Sequence, residues 1–397
     1  MKYFNHYLRK SNLLLLLFLL CIFPAMLSAQ NSITGKVISN NVAVTEASVF
    51  LNSSSTGTKT LQDGTFSLDN VKNGNYDVII SCIGYETYIK NIYVYNKNIN
   101  LSTIELQRKT DTLAEVKIVA PGKKKHIGID RTGYIRRFER EFFGSTKNAS
   151  GCKLLNPDML DFVYNEEFDK LSATSHGFLI IENRALGYRI KYLLKSFLQD
   201  PVQHLMYYTG YYSFEEMDGT PEQQRVWQAE RLKTYLGSEM HFLRSCMASD
   251  FSNIFTVRKM VREPNPNREP DSVIYANIKL YSSTGGEMLH FWKNEAAKYR
   301  FDQKIFNRPL DGYEFLKKTD IKGIYAIGYP DCLVVNYGYT FSTSLKYNTI
   351  ITFKQPFSYF DSNGIIINPS SILVEGYWGT KRIAELLPVD YEVPHNK

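Results

Sequence analysis

Residues 57–85 read GTKTLQDGTFSLDNVKNGNYDVIISCIGY, and the glycines in this stretch decide the fold of the N-terminal part. Two alternating apolar runs, residues 65–68 and 76–80, each follow a glycine-containing turn, Asp63-Gly64 and Asn73-Gly74. Glycine tolerates the backbone of a tight turn and period-two alternation buries one face of a strand, so the pattern predicts strand, turn, strand. Residues 35–39 and 47–51 precede it with the same alternation, and the whole predicts a small antiparallel sandwich.

Working outward, residues 32–38 open the unit as strand one and residues 47–51 follow as strand two. Residues 88–94 and 98–106 then close the sheet. The arrangement of Gly57-Thr58, Asp63-x-x-Phe66, Gly74-x-Tyr76, Ser81 and Gly84-Tyr85 resembles the carboxypeptidase-regulatory-like domain, a transthyretin-like β-sandwich common in envelope proteins of Bacteroidetes. That family usually carries prolines before the second strand, where this chain has Val44-Thr45-Glu46. In the secreted metallocarboxypeptidases that name the domain it is an appendage without catalytic residues, so the resemblance implies a structural or docking role.

Upstream, Lys2, Arg9 and Lys10 precede an apolar block at residues 13–23, and Ser28-Ala29 supplies a small-residue exit. This is the layout of a secretory signal peptide, expected over residues 1–29, and the block is too short to span a membrane as a stable helix. Leu20 stands where lipidation of Cys21 would need a small residue, which argues against a lipid anchor there. Formal charge is +7 for the whole chain, and removal of the three leader bases leaves 44 basic against 40 acidic residues. That balance offers no support for nucleic-acid binding, which needs clustered bases interleaved with exposed rings. Cys82, Cys152, Cys246 and Cys332 remain, widely scattered and without C-x-x-C spacing. They read as small buried residues rather than a zinc knuckle or redox motif.

Downstream, residues 110–130 read as a linker or edge strand. Residues 110–119 resemble the leader between this domain and the plug of TonB-dependent outer-membrane transporters, but fewer than 280 residues follow, too few for a barrel of about 22 strands beyond a plug. The basic run Lys123-Lys124-Lys125-His126 lies in this segment and reads as solvated. Residues 131–397 form the second unit, an α+β domain. It opens with helical material, and Asn156-Pro157-Asp158 starts a short helix reaching residue 168. Strands are expected at 178–182, at 186–192 with Tyr188, Ile190 and Tyr192 on one face, and at 203–212. Thr220-Pro221-x-Gln223 caps a long helix whose stripe is Val226, Ala229, Leu232, Leu236, Met240, Leu243 and Met247, with Gly237 in its middle. Strands follow at 253–261, 273–281, 313–316, 325–327, 333–337 and 349–353, with turns at 284–286 and Asn363-Gly364. Residues 376–388 read as a short amphipathic helix stopped by Pro388. Segments around Arg184, Gly237 and Trp378 resemble the region that accompanies this sandwich in other Bacteroidetes envelope proteins, to which no activity attaches.

Zinc peptidase chemistry of the carboxypeptidase type needs His-x-x-Glu. Residues three beyond His126, His176, His204, His241 and His290 are Ile129, Leu179, Tyr207, Arg244 and Lys293, and nothing lies three beyond His395. H-E-x-x-H and G-x-S-x-G do not occur. Glu166-Glu167 and Glu215-Glu216 are neighbours that point apart on any regular element, so they read as surface rather than as a glycosidase dyad. Tyr207, Tyr208, Tyr211, Tyr212 and Phe214 are a candidate platform for sugar rings, although alternation sends half of them to the core. His241 and Arg244, three apart on the expected helix and opposite its stripe, are candidates for binding an anion or a partner carboxylate. Asp111-Thr112-Leu113 and Asp271-Ser272-Val273 match a short O-glycosylation acceptor pattern.

The reading is a mainly β chain: an N-terminal antiparallel sandwich followed by an antiparallel-sheet domain with a long helix. The expected function is a non-catalytic cell-envelope protein, periplasmic or associated with the outer membrane, that binds a protein or glycan partner without cofactor or metal. The alternative is an envelope enzyme of unrecognised type, such as a glycan hydrolase, in the second unit. Tyr208, Tyr211, Tyr212, His241 and Arg244 are the candidate binding residues.

Overall fold

The structure, a computed structural model, describes residues 31–109, 131–166, 168–201, 205–248, 250–338 and 348–394. The expected leader and the segment 110–130 lie outside the described residues.

The N-terminal strands are β1 (Asn31–Ser39), β2 (Val42–Ala43), β3 (Ser48–Leu51), β4 (Gly57–Lys59), β5 (Thr65–Val71), β6 (Gly74–Ser81), β7 (Tyr88–Val94) and β8 (Ile99–Glu105). They form two four-stranded sheets. In one, β1 pairs with β2 and β5 antiparallel and with β8 in parallel; in the other the order is β4-β3-β6-β7. The Asn73-Gly74 turn therefore carries the chain from one sheet to the other instead of closing a hairpin, because β5 pairs with β1 and β6 with β3 and β7. Alternation is what makes this work. Phe66 and Leu68 from one sheet and Tyr76, Val78 and Ile80 from the other are all buried in the core between the sheets.

Beyond the linker, α1 (Arg131–Phe143) lays Phe138, Phe142 and Phe143 on a six-stranded sheet. That sheet contains β9 (Cys152–Leu154), β10 (Leu160–Asn165), β11 (Lys170–Ser175), β12 (Phe178–Asn183), β13 (Tyr188–Asp200) and β14 (Leu205–Glu216). The helix expected after Asn156 is one 3-10 turn, Pro157–Met159, followed by β10, whose register with β11 runs unbroken from Leu160↔Ser175 to Asn165↔Lys170. Sheet pairing overrides the local capping signal there. Tyr188, Ile190 and Tyr192 share the buried face of β13 as expected.

The long helix is two helices, α2 (Pro221–Tyr235) and α3 (Glu239–Met247). The Thr220–Gln223 capping box is present. In α2 the expected stripe is not the buried one, since Val226 is 64% exposed whereas Trp227, Arg231 and Tyr235 face inward; in α3 its Leu243 is buried as expected. Arg231 explains the difference. Its guanidinium donates to the carbonyls of Leu186 (2.7 Å) and Gly187 (3.2 Å), pairs with Glu216 (2.8 Å), and lies 3.8 Å from the centre of the Tyr188 ring. A charged side chain with backbone acceptors can be buried where an apolar count would leave it outside.

Next come α4 (Phe251–Ile254), β15 (Phe255–Pro264), α5 (Asp271–Tyr281), α6 (Gly286–Ala297), β16 (Phe301–Pro309), α7 (Gly312–Phe315) and β17 (Leu316–Lys318). The strand expected at 273–281 is the helix α5, which buries Ile274 and Ile278 one turn apart against α6. Residues 313–316 are mostly the turn α7 rather than a strand. The remaining strands are β18 (Ile324–Ile327), β19 (Cys332–Tyr337), β20 (Asn348–Phe353), β21 (Ser358–Asp361) and β22 (Ile372–Gly376), giving sheets β16-β15-β19-β20-β22 and β17-β18-β21. Their core gathers Phe242 and Leu243 from α3 with Phe255, Phe315, Leu333, Ile351 and Phe360.

After β22 the chain forms not a helix but two 3-10 turns, Trp378–Thr380 and Ile383–Glu385. Tertiary burial determines this tail. Trp378 sits in the core of the last sheets, Ile383 in that of the six-stranded sheet, and Val389 in that of the sandwich. A regular helix would place these side chains within one short cylinder and could not reach three cores. Cys82, Cys152, Cys246 and Cys332 are unpaired, with Cys246 and Cys332 buried.

Candidate functional site

Where the tail crosses from core to core it closes a cavity of about 300 Å³. Its position follows from the break between α2 and α3. Gly237 adopts φ +79°, a conformation costly for any side chain, and this ends α2. Ser238 then caps α3, its Oγ accepting the His241 backbone N–H at 3.1 Å. The His241 ring turns back and its Nδ1 accepts the Gly237 N–H at 3.0 Å, while the Trp378 indole N–H donates to the Gly237 carbonyl at 2.7 Å. Both polar groups of the glycine are thereby satisfied, and Glu239 and Met240, the first turn of α3, line the cavity.

One turn later Arg244 holds the tail. Its Nε donates to the Asn363 carbonyl (2.9 Å), and its two terminal nitrogens donate to the carbonyls of Tyr391 and Val389 (2.8 Å each). Gly364 admits the close approach, since a β-carbon there would lie 2.8 Å from the Met240 carbonyl oxygen. The apolar walls are Tyr212, Met240, Ile365, Trp378, Leu387 and Val389, and the charged groups are Glu239, Lys381 and Glu385. Lys381 pairs with Glu385 at 3.5 Å and sits 4.4 Å over the Tyr377 ring. Among the described residues Glu239 has no such partner, and burial pushes its carboxyl up to about 7.

A second cavity of about 310 Å³ shares Tyr212, Ile365, Ile366 and Val389 with the first and opens on the sandwich. Its wall is polar. Asp361 accepts the backbone N–H groups of Asn75 (3.0 Å), Asn363 (3.0 Å) and Ile365 (3.2 Å), and the Asn363 amide donates to the Tyr76 hydroxyl at 3.1 Å. Burial raises Asp361 despite these donors. The seam continues through a parallel bridge, Ser54↔Ser213, with Ser53 N–H donating to the Tyr212 carbonyl (2.7 Å) and Val389 N–H to that of Ser53 (2.8 Å).

The candidate residues divide. Tyr208 and Tyr212 turn toward the core of the six-stranded sheet, with Tyr212 stacked on Tyr192 at 5.2 Å, and burial pushes both hydroxyls up. Tyr211 and Tyr207 lie on the other face of β14, Tyr207 half-exposed and Tyr211 near Lys195. The five aromatic residues therefore do not form one platform. His241 and Arg244 do not stand opposite the packed face: His241 is buried among the rings of Tyr235, Phe255 and Tyr337, burial and Arg244 lower its pKa, and Arg244 is committed to three carbonyls. Of the candidates, only Tyr212 lines the cavity. Glu239, Lys381 and Val389 were not legible as site residues. The signal was Gly237-Ser238, a stop followed by a cap, which puts Glu239 in a first turn instead of mid-helix.

Glu215 pairs with Lys191 and Glu216 with Arg231, on the surface of β14. Among the described residues no three His, Cys, Asp or Glu side chains cluster as a metal site, and no helix is long and apolar enough to cross a membrane.

Two facing four-stranded sheets with a parallel β1–β8 pair define the N-terminal unit as a transthyretin-like sandwich. Residues 33–133 match the model of the CarboxypepD_reg-like domain, and the chain carries that domain at its N-terminal end. The match runs past β8 to Gly133 in α1. No curated protein matches the chain. Among solved structures, a chain of a type II cohesin–X-dockerin complex from Acetivibrio cellulolyticus is similar over 20% of this chain and 58% of its own, at 21% identity and TM-score 0.18. The group B streptococcus pilus 2b backbone protein is similar over 20% of this chain and 42% of its own, at 17% identity and TM-score 0.18. A putative membrane-associated protein of unknown function from Bacteroides fragilis aligns over 83% of this chain and 93% of its own, at 9% identity and TM-score 0.16. This chain thus spans less than two thirds of the first two.

Proposed function

We propose that this is an exported, non-catalytic binding or assembly protein of the bacterial cell envelope. The observation that carries the reading is the junction: three cores are tied together by one tail, and the cavity they enclose has aromatic and aliphatic walls with few polar groups, the usual make-up of a binding pocket. The signal-peptide pattern and the CarboxypepD_reg-like sandwich support an extracytoplasmic setting.

A glycan hydrolase is the second reading, and one observation favours it. Glu239 and Glu385 line the same cavity in opposed environments, one desolvated and one paired with Lys381, the contrast by which glycosidases separate acid from nucleophile. Binding is preferred because Lys381 occupies Glu385.

The test is to express the full chain in a bacterial host, fractionate the cells, determine the mature N-terminus by mass spectrometry and assay the product. Expected are cleavage after Ala29, recovery in the envelope fraction, a cross-linked protein or glycan partner, and no turnover of peptides or glycosides. Cytosolic recovery with residues 1–29 retained would overturn the export reading. Glycoside turnover that Glu239→Gln abolishes would establish the second.

A further inference from the structure

We propose that the junctional cavity is a seat for a primary ammonium group carried on an apolar stem, with Glu239 as its counter-charge. The inference deepens the binding function proposed above and rests on it.

Glu239 stands apart from the other carboxylates of the junction. Asp361 is satisfied by backbone N–H groups, Asp390 accepts the Ser55 N–H at 3.0 Å, and Glu385 has Lys381. No hydrogen bond or ion pair to the Glu239 side chain is present among the described residues, although Met240, Trp378 and Leu387 surround the cavity it lines. Half-buried at the wall of the cavity, the carboxylate keeps only part of its hydration, and an opposite charge entering the cavity supplies a partner. Glu239 belongs to the first turn of α3, where the helix favours a negative charge, yet burial prevails and its carboxyl titrates near 7.

Among the described residues no cation pairs with Glu239. Lys381 is held by Glu385 and the Tyr377 ring, and Arg244 by three carbonyls on the far side of the tail. The same facts disfavour a carboxylate ligand, because Lys381, the cation on this wall, already faces Glu385. Trp378 and Met240 offer the stem a flat and a flexible apolar contact. At about 300 Å³ the space is at the small end for ligand pockets, which fits one amine-bearing side chain or small aromatic amine rather than an oligosaccharide.

The test is calorimetric titration of the full chain with three probes of one shape: phenethylamine, 2-phenylethanol and 3-phenylpropionate. At pH 8 we expect phenethylamine to bind at least tenfold tighter than the alcohol, and the acid weakest. In Glu239→Gln the amine preference falls to within about twofold. In the native chain the preference shrinks from pH 8 to pH 5.5 as Glu239 takes up its proton. The other titratable groups on this wall are Tyr212, Tyr377, Lys381 and Glu385, and the Gln variant separates their contribution from that of Glu239. Equal binding of amine and alcohol, or tighter binding of the acid, would refute the ammonium assignment while leaving the cavity a binding seat. Binding of none of the three would remove the seat itself. Should the Gln variant fail to fold, the pH dependence of the native amine-to-alcohol ratio still decides.

Discussion

The sandwich and the region after it reach stability in different ways. Every buried residue of the sandwich core except Val389 comes from residues 33–106, so strands near in sequence face one another across a single interior. Residues 131–394 divide their apolar side chains between two large cores and draw both together with the tail, which contributes Ile383 to one and Trp378 to the other. The first is a closed unit with one late addition; the second is complete only when its last thirty or so residues are in place. A unit of the first kind is robust to distant changes, whereas in the second a single clamp transmits loss from one core to the next.

The largest expected effect separates the two. Phe242 is fully buried beneath α3, and Phe242→Ala should cost about 4 kcal/mol by cavity formation. Urea unfolding should show the loss in the C-terminal region while amide-exchange protection across β1 to β8 persists; a parallel fall in both would refute the independence of the sandwich. Arg244→Met comes next, at roughly 3 kcal/mol, because three backbone acceptors lose a charged donor. Here exchange should accelerate at Val389 and in the sandwich strands beneath it as well, and unchanged sandwich protection would show that the tail does not couple the units.

Glu239→Gln acts with the opposite sign. The folded carboxyl titrates near 7 against an ordinary 4.5, so between these values the folded chain holds a proton that the unfolded chain releases. The stability associated with that proton is full below pH 4.5 and lost as pH rises through 7. The Gln variant should therefore be more stable than the native chain by roughly 3 kcal/mol at pH 8 and equal to it at pH 4, read as the difference in thermal midpoints. Smallest is Val226→Ala on the exposed face of α2, within about 0.5 kcal/mol. Trp227→Ala one residue on should cost about 3 kcal/mol, because its ring is buried and its N–H reaches the Arg184 carbonyl at 2.9 Å. A larger loss at Val226 would restore the stripe read from spacing.

Legibility followed the same division. The longer strands of the sandwich could be read because apolar residues alternate along β5 and β6 and the turns before them carry Gly64 and Gly74; the short β2 and β4 could not. The pairing of β5 and β6 with different partners could not, since alternation states which face is buried and not against what. In α2 the apolar spacing pointed to Val226, and the structure buries Trp227, Arg231 and Tyr235 because the Leu186 and Gly187 carbonyls and the Tyr188 ring receive the guanidinium. At residues 273–281 a β-branched run preceded by Pro270 became a helix once α6 offered it a partner surface. The Tyr211–Tyr212 pair was separated by the faces of β14, as alternation requires, while the cavity beside Tyr212 depends on residues up to 177 positions later.

From composition and spacing alone came the β-sandwich, the glycine-bearing turns that define it, the buried face of β13 and the capped start of α2, because each of these depends on neighbours within a few residues. The tertiary structure alone decided that the tail abandons a helix, that Arg244 binds backbone carbonyls, and that Glu239 lines a cavity with no ion pair or hydrogen bond to it among the described residues. Those outcomes depend on which surfaces meet, and a chain's local preferences of about 1 kcal/mol or less per residue yield when a core offers several.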